Sequence, residues 1–503
     1  WNKTFGKHAF DFTFLANWEK FQRWHDEMTN ENFLPTDELG YGGIGFGTSP
    51  NVSSDDVYRT GDAFMGRLHY VYDQRYLITA TVRRDGYSAF GLANPRATFP
   101  AIALGWVFSE EKFLHRPDWF EYGKLRLSWG KNGNRAVGTY AAFMQLAPRK
   151  YIYVDPATGS LVTANTFYAS TMANLKWEST TSWNIGTDLT FLKGRLSANL
   201  DVYKKITTDL LVSRELPSLI GYSSVMSNIG EVQNTGVELS LNSTNIRMDK
   251  LTWRTSFSLA YNKNKITHLY GIMEDVKDAD GNVIGQREAD DIKNKRFIGH
   301  DIDEIWDYKV VGIWQEEERE EAAKYGQQPG DVHLLDKDMN YKYDNTDKEF
   351  QGTTMPRLRW SMRNDFTLFK NFNISFNMYS YIGHKKTLGR FTNDNALLNV
   401  TNQIKRDYWT PENRNNEYPR LANKKPAGVS YAIYKNASFL RFDNISIGYT
   451  FPKKLIEPLR IQNLNVNATM KNAGYISGWP GYDPENSDAN TPRVIYFGIN
   501  LTL

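Results

Sequence analysis

The stretch Thr367-Leu-Phe-Lys370-Asn-Phe372-Asn-Ile-Ser-Phe376-Asn-Met-Tyr379 decides the fold. Phe372, Ile374, Phe376 and Met378 fall on one face, with Asn373, Ser375, Asn377 and Tyr379 on the other, the period of a strand with one apolar side. A second strand pattern, 357–369, ends just before it, so the two are joined by a tight hairpin turn about Lys370. The next connection, 384–437, is far longer than an ordinary loop. A short joint followed by a very long one is the local form of a plan that runs through the whole chain.

The same pattern rule gives about fourteen strands. They lie near 8–19, 64–74, 76–86, 97–109, 122–132, 182–192, 194–206, 235–246, 250–262, 357–369, 371–383, 438–451, 461–472 and 494–503. Short joints fall near Asp73, at 109–121, Leu192-Lys-Gly194, 247–249, Lys370 and 452–460. Long ones span 20–63, 87–96, 133–181, 207–234, 263–356, 384–437 and 473–493. Strands of about ten residues, with tight turns at one end and long loops at the other, predict an antiparallel transmembrane β-barrel. The long loops are then extracellular and 263–356 is the largest of them, with Trp306–Trp314 read as part of a small hairpin inside it. The apolar faces carry Trp106, Trp129, Trp183, Trp253, Tyr261, Trp360, Tyr449 and Phe451 near their ends, as interfacial girdles require. An even strand number also admits a closed, passive porin.

Composition narrows the classes. Aromatics reach 14% of residues, high for a soluble protein and ordinary for a barrel with girdles. Mean hydropathy is −0.56 and no apolar run is long enough for a spanning helix, which excludes a helical membrane protein. A net charge of +3 with dispersed basic residues leaves no footprint for nucleic acid. With no cysteine, thiol nucleophiles, disulfides and thiolate metal sites are excluded. The eight histidines form no metal-spaced pair, and no nucleophile elbow, phosphate loop or dinucleotide fingerprint occurs, so an enzyme is not expected. The glycine-rich Gly42–Gly47 segment opens no helix and reads as a loop tip.

Three loop features carry chemistry. Asp336, Asp338, Asn340, Asp344 and Asp347 stand at the oxygen positions of a calcium loop, with Tyr341 where the turn glycine belongs. They mark a candidate structural calcium site; no other cofactor is required. Glu316 to Lys324 predicts a short solvated helix in the same loop. Trp409, Trp479 and Tyr482 sit in aromatic–polar clusters that either stack on sugar rings or pack loop against loop.

The chain resembles the SusC/RagA family of TonB-dependent outer-membrane transporters of Bacteroidetes. The resemblance runs in order from about Phe64 to Leu503. It is carried by Leu175-Lys-Trp177-Glu178, Asn228-Ile-Gly230-Glu231, Gly312-Ile-Trp314-Gln315 and Pro329-Gly-Asp331-Val332. Trp409-Thr-Pro411-Glu-Asn413, Phe439-Leu-Arg441-Phe, Gly448-Tyr-Thr-Phe-Pro452 and Gly481-Tyr-Asp483-Pro-Glu485 complete it. The family resemblance implies a barrel of about 22 strands with a plug, of which this chain supplies the C-terminal portion. The chain begins Trp1-Asn2-Lys3 without a methionine or signal peptide, and the implied plug, TonB-contacting segment and roughly eight earlier strands are absent from it. The resemblance further implies import of oligosaccharides or, in some members, peptides. The partners would be a SusD-like surface lipoprotein, outer-membrane lipid, and TonB–ExbB–ExbD contacted through the missing N-terminal part. Leu503 stands where the family usually ends in an aromatic.

Overall fold

In the computed structural model, all residues are described except 34–37, 39, 92, 141, 143–145, 170–174, 216–223, 279, 389–406, 422 and 487–488. Fifteen strands pair in strict sequence order as one antiparallel meander. All fourteen expected strands are present, and a short strand, Asn2–Phe5, adds to the His8–Thr29 edge. The hairpin about Lys370 has Leu358 opposite Ile382 and Leu368 opposite Phe372. Asn371 N donates to Leu368 O (3.2 Å) across a turn whose central residues, Phe369 and Lys370, both have positive φ. Asp73-Gln74 repeats that geometry. The twist of the flanking strands selects this turn, and it is reached here without the usual Asn-Gly pair.

The first two strands are much longer than their apolar alternation suggested. His8–Thr29 and Asn51–Tyr72 pair along their whole length, so the expected 20–63 loop is mostly a two-stranded ribbon. Its upper half carries Lys20, Arg23, Asp26, Asp55 and Asp56, which erase the apolar alternation while the backbone ladder continues. At about 3.3 Å per residue each strand reaches roughly 70 Å, well beyond a bilayer.

Outward positions are the exposed apolar ones, including Phe64, Leu68, Ile78, Val82, Ile102, Leu125, Ile185, Val202 and Ile447. Trp129, Trp183 and Tyr261 lie toward the end with long connections, and Trp106, Trp253 and Tyr449 toward the end with short ones. Those are the two belts a membrane wall needs. Among the described residues the sheet does not close: Asn2–Phe5 and Val494–Thr502 are its two edges.

The long connections build further structure. Trp306–Trp314 is not part of one local hairpin. Glu304–Tyr308 pairs with Lys348–Thr353, and after a break at Lys309, Val310–Ile313 pairs with Val332–Leu334. The acidic run is helical as expected, with a turn at Glu316–Glu318 leading into Arg319–Lys324. Glu318 closes a capping box with Gln315. The core above the wall draws on three long connections rather than on 263–356 alone. It gathers Tyr308, Ile313, Val332, Leu334, Leu388, Trp409, Tyr431, Ile433, Ala437 and Trp479.

Candidate functional site

The inner face of the wall is polar and internally paired. Period two places Arg126, Asn184, Asp188, Asn199 and Asp201 on the side opposite Leu125, Ile185 and Val202. Arg126 Nε donates to Asp188 (3.0 and 3.1 Å), and its two terminal nitrogens reach Asp201 at 3.0 Å each. Asn184 Nδ2 also donates to Asp201 (3.0 Å) and Asn199 Nδ2 to Asp188 (2.8 Å). Gly186 lies under this bridge, where a Cβ would come within 2.4 Å of Asp201 Oδ1. Only glycine leaves room for the guanidinium to span three strands. Arg83 with Asp85, and Arg363 with Asp365, repeat the motif within single strands.

Two ligand-sized hollows open on this face. One, of about 650 Å³, is lined by Glu19, Arg83, Asp85, Phe99, Asn132 and Arg135, with Arg135 ion-paired to Glu19. The other, of about 500 Å³, is lined by Glu238, Arg359, Asn377, Tyr379, Tyr381 and Asp443. Charged and aromatic groups that converge in a concavity can orient a polar oligomer while water fills the rest. Sequence reading missed both hollows. The inward parity of their residues was legible, but which strands lie side by side, and in what register, was not.

Above the wall, motifs far apart in the chain meet in pairs. Asn228 Oδ1 accepts from Lys176 N (2.6 Å) and its Nδ2 donates to Lys176 O (2.7 Å), joining the Asn228 motif to the Leu175 motif. Trp314 Nε1 donates to Gln327 Oε1 (3.1 Å), and the Trp314 ring stacks on His333 with centroids 3.5 Å apart. Burial holds the His333 imidazole below the usual histidine range. Asp331, fully buried, accepts from Arg420 Nε (2.7 Å) and Lys424 N (2.8 Å). Gly330 beside it has φ +87° and lies against Trp409, so a Cβ would come within 2.5 Å of that ring. Arg441 joins the Phe439 motif to the Gly481 motif. It reaches Asp483 Oδ1 at 2.6 Å and Glu485 Oε2 at 2.6 Å, and Tyr379 O–H also donates to Glu485 (2.6 Å).

The aromatic candidates divide accordingly. Trp409 and Trp479 are only 5% and 7% exposed and belong to the loop core, so neither offers a ring face for stacking on a sugar. Trp409 Nε1 donates to Gln315 Oε1 (3.0 Å). They pack loop against loop, the second of the two roles such clusters can take. Tyr482 is half-buried, and its carbonyl accepts from Tyr475 O–H at 2.5 Å.

Three of the five calcium-loop candidates come together. Asp336, Asp338 and Asp347 each place a carboxylate oxygen within 4.8 Å of the others. Asn340 and Asp344 are spent locally. Asn340 Nδ2 donates to Asp338 (2.9 Å), and Asp344 accepts from Thr346 N (2.7 Å) as a turn cap. Tyr341 adopts φ +64°, the left-handed conformation that glycine usually supplies there. Its ring is braced by Lys324 Nζ, 4.7 Å from the centroid, and by the edge of Tyr325. Desolvation by its neighbours raises the exposed Asp338, as does Asp336 beside it. Asp336 is lowered, because hydrogen bonds from Tyr325 and Tyr341 N outweigh its own burial. The three carboxylates could hold one hard cation.

The family model for the TonB-dependent receptor-like β-barrel matches residues 1–473. The chain belongs to that family of outer-membrane β-barrels. Among curated relatives, TonB-dependent receptor P3 of Formosa agariphila is 28% identical over 501 residues, covering 97% of this chain and 48% of the relative. TonB-dependent receptor SusC of Bacteroides thetaiotaomicron is 31% identical over 462 residues, covering 88% of this chain and 43% of the relative. The solved RagAB peptide transporter superposes with a TM-score of 0.75 over 100% of this chain and 54% of its own, at 20% identity, a likeness of fold. The TonB-dependent receptor chain described here thus spans about half the length of the curated relatives it matches. Those relatives are named as receptors, not as enzymes.

Proposed function

We propose that this chain is the later wall and loop domain of a SusC-type importer that carries oligosaccharides across the outer membrane. The observation behind the reading is the pairing of a charge-laced inner face, with its two hollows, to a rigid packed domain over the same strands. In this proposal, earlier strands supplied by the rest of the protein pair with the two free edges, and a plug fills the lumen. Ligand binds on the extracellular side beneath a SusD-like lipoprotein lid, and TonB–ExbB–ExbD acts on the plug to open a path. No bond is made or broken in the ligand. The paired charges around Glu19 and Arg135 favour a second substrate class, peptides, whose termini and side chains would find both signs within one hollow. A passive porin would require the described strands to close on themselves, and they pair as an open sheet.

The test is uptake by cells lacking the chromosomal copy and carrying the full-length gene, with labelled oligosaccharides and labelled oligopeptides offered in parallel. Accumulation of oligosaccharide that stops on TonB depletion supports the reading. Accumulation of peptide alone moves the substrate to the second class, and uptake that survives TonB depletion defeats both.

A further inference from the structure

We propose a lipid-binding groove on the outer face of the wall that takes a phosphorylated glycolipid of the outer leaflet. Four neighbouring strands, Glu178–Phe191, Leu196–Thr208, Glu231–Arg247 and Leu251–His268, are in register across this face. One rung reads Ile185, Val202, Val237, Tyr261. The rung immediately above reads Trp183, Lys204, Thr235, Lys263. The small side chains of the middle strands, set between Trp183 and Tyr261 on the flanks, leave a hollow of about 390 Å³ with an almost wholly apolar lining.

The rung above the hollow is where its charge lies. Lys204 and Lys263 share that rung two strands apart, which places their backbones about 9–10 Å from each other, a span that two extended lysines close around one phosphate. Lys265 follows on the next outward position of the same strand. All three are exposed, and none has an ion-pair partner among the described residues. The nearest outward carboxylate along the adjoining strand, Glu231, is higher still and accepts from Thr267 Oγ1 (2.7 Å). The rung lies toward the long connections, at the extracellular boundary of the apolar band, where the lipid is the outer-leaflet glycolipid with its phosphate at the interface. An acyl chain fits over Val237, and the phosphate it hangs from meets Lys204 and Lys263. A phospholipid of the inner leaflet would present its headgroup at the opposite end of the strands. The inference needs only the lipid-facing wall and is independent of what the protein imports.

The experiment uses the full-length protein in nanodiscs, with lipid retention read by native mass spectrometry. The probes are monophosphoryl lipid A, its phosphate-free counterpart, and phosphatidylglycerol. The parent should prefer monophosphoryl lipid A over the phosphate-free form by roughly thirtyfold, the scale of two lysine–anion contacts at a membrane surface. Lys204→Gln with Lys263→Gln should abolish that preference without affecting acyl-chain retention. Val237→Trp should fill the hollow and lower retention of both forms of lipid A. Equal retention of the two forms by the parent, an unchanged preference in the double variant, or equal competition by phosphatidylglycerol would each overturn the site. Substrate uptake by the Lys204/Lys263 variant should match the parent, so failure here leaves the transport reading untouched.

Discussion

The wall and the domain above it solve the same problem in opposite ways. On the wall, polar groups of the inner face satisfy one another while half-exposed, as the Arg126, Asp188 and Asp201 cluster does, and the apolar side chains point out to lipid. In the loop domain the apolar side chains turn inward and the ion pair Arg420–Asp331 is sealed within it, while Arg441–Asp483 is sealed where the wall strand Phe439–Thr450 meets the last long connection. An ion pair facing a wet lumen contributes little because water replaces either partner. A sealed one costs much to break, because the remaining charge is stranded. The same residue types therefore carry different energetic weight in the two settings, and the contrast can be measured.

The largest effect is expected at Arg441. Arg441→Ala should leave Asp483 buried without its cation and lower the stability of the last long connection by about 3–5 kcal/mol. Limited proteolysis of the full-length protein should then cut within 478–493, where the parent resists. Arg441→Ala with Asp483→Ala should recover part of the loss, since no charge is left stranded. If the single variant resists cleavage as the parent does, the clamp is not what holds this loop.

Next in size is an acid effect at the joint between wall and domain. His384 is buried, with Nδ1 unbonded, and burial pushes its imidazole down to about 4, reinforced by Lys386 and Arg359. The unfolded chain takes up its proton below about 6.5, so stability is full above that pH and falls as pH drops toward 4. Between pH 7 and 5 the loss should be about 2 kcal/mol. The hydrogen-exchange protection factor at Leu388 N, bonded to Ile433 O at 2.8 Å, should fall over that range in the parent once the intrinsic pH dependence of exchange is divided out. His384→Gln should flatten the response; an equal pH slope in both would place the acid sensitivity elsewhere.

A smaller gain is expected from calcium. With an affinity typical of extracellular sites, millimolar calcium should stabilise the domain by about 1–2 kcal/mol through the Asp336, Asp338 and Asp347 oxygens. Thermal unfolding with calcium and with magnesium checks it. Asp336→Ala with Asp338→Ala should remove the calcium shift, and a parent that shows none disposes of the site.

What was legible in the sequence follows the same division. Strand phase on the wall was readable because lipid demands an uninterrupted apolar face, so Phe372, Ile374, Phe376 and Met378 announce themselves. Length was lost where lipid stops making that demand: Lys20–Thr29 and Asn51–Ala63 continue the ladder with polar side chains on both faces. In the loop domain the acidic helix was readable from local pattern. The break at Lys309 and the burial of Trp409 were not, because both depend on segments far away in sequence. The ordered motifs were visible as a family resemblance, but their pairing was hidden. Nothing in Asn228 or Lys176 alone says that they bond each other.

The smallest effect should come from the inner wall, and its smallness is the sharpest test of the contrast. Arg126 makes four hydrogen bonds to two carboxylates, more than Arg441 makes to Asp483, so a count of bonds would rank it first. Its exposure to the lumen reverses that order, because Asp188 and Asp201 keep Asn199 and Asn184 as donors and gain water when the guanidinium is gone. Arg126→Ala should therefore cost no more than about 1 kcal/mol. Raising salt from 0.05 to about 0.5 M should shrink the difference further, since ions screen exposed pairs and leave sealed ones intact. The parallel salt series on Arg441→Ala should be flat. If Arg126→Ala proves as damaging as Arg441→Ala, the inner face is dry, and a water-filled lumen is the wrong description of this wall.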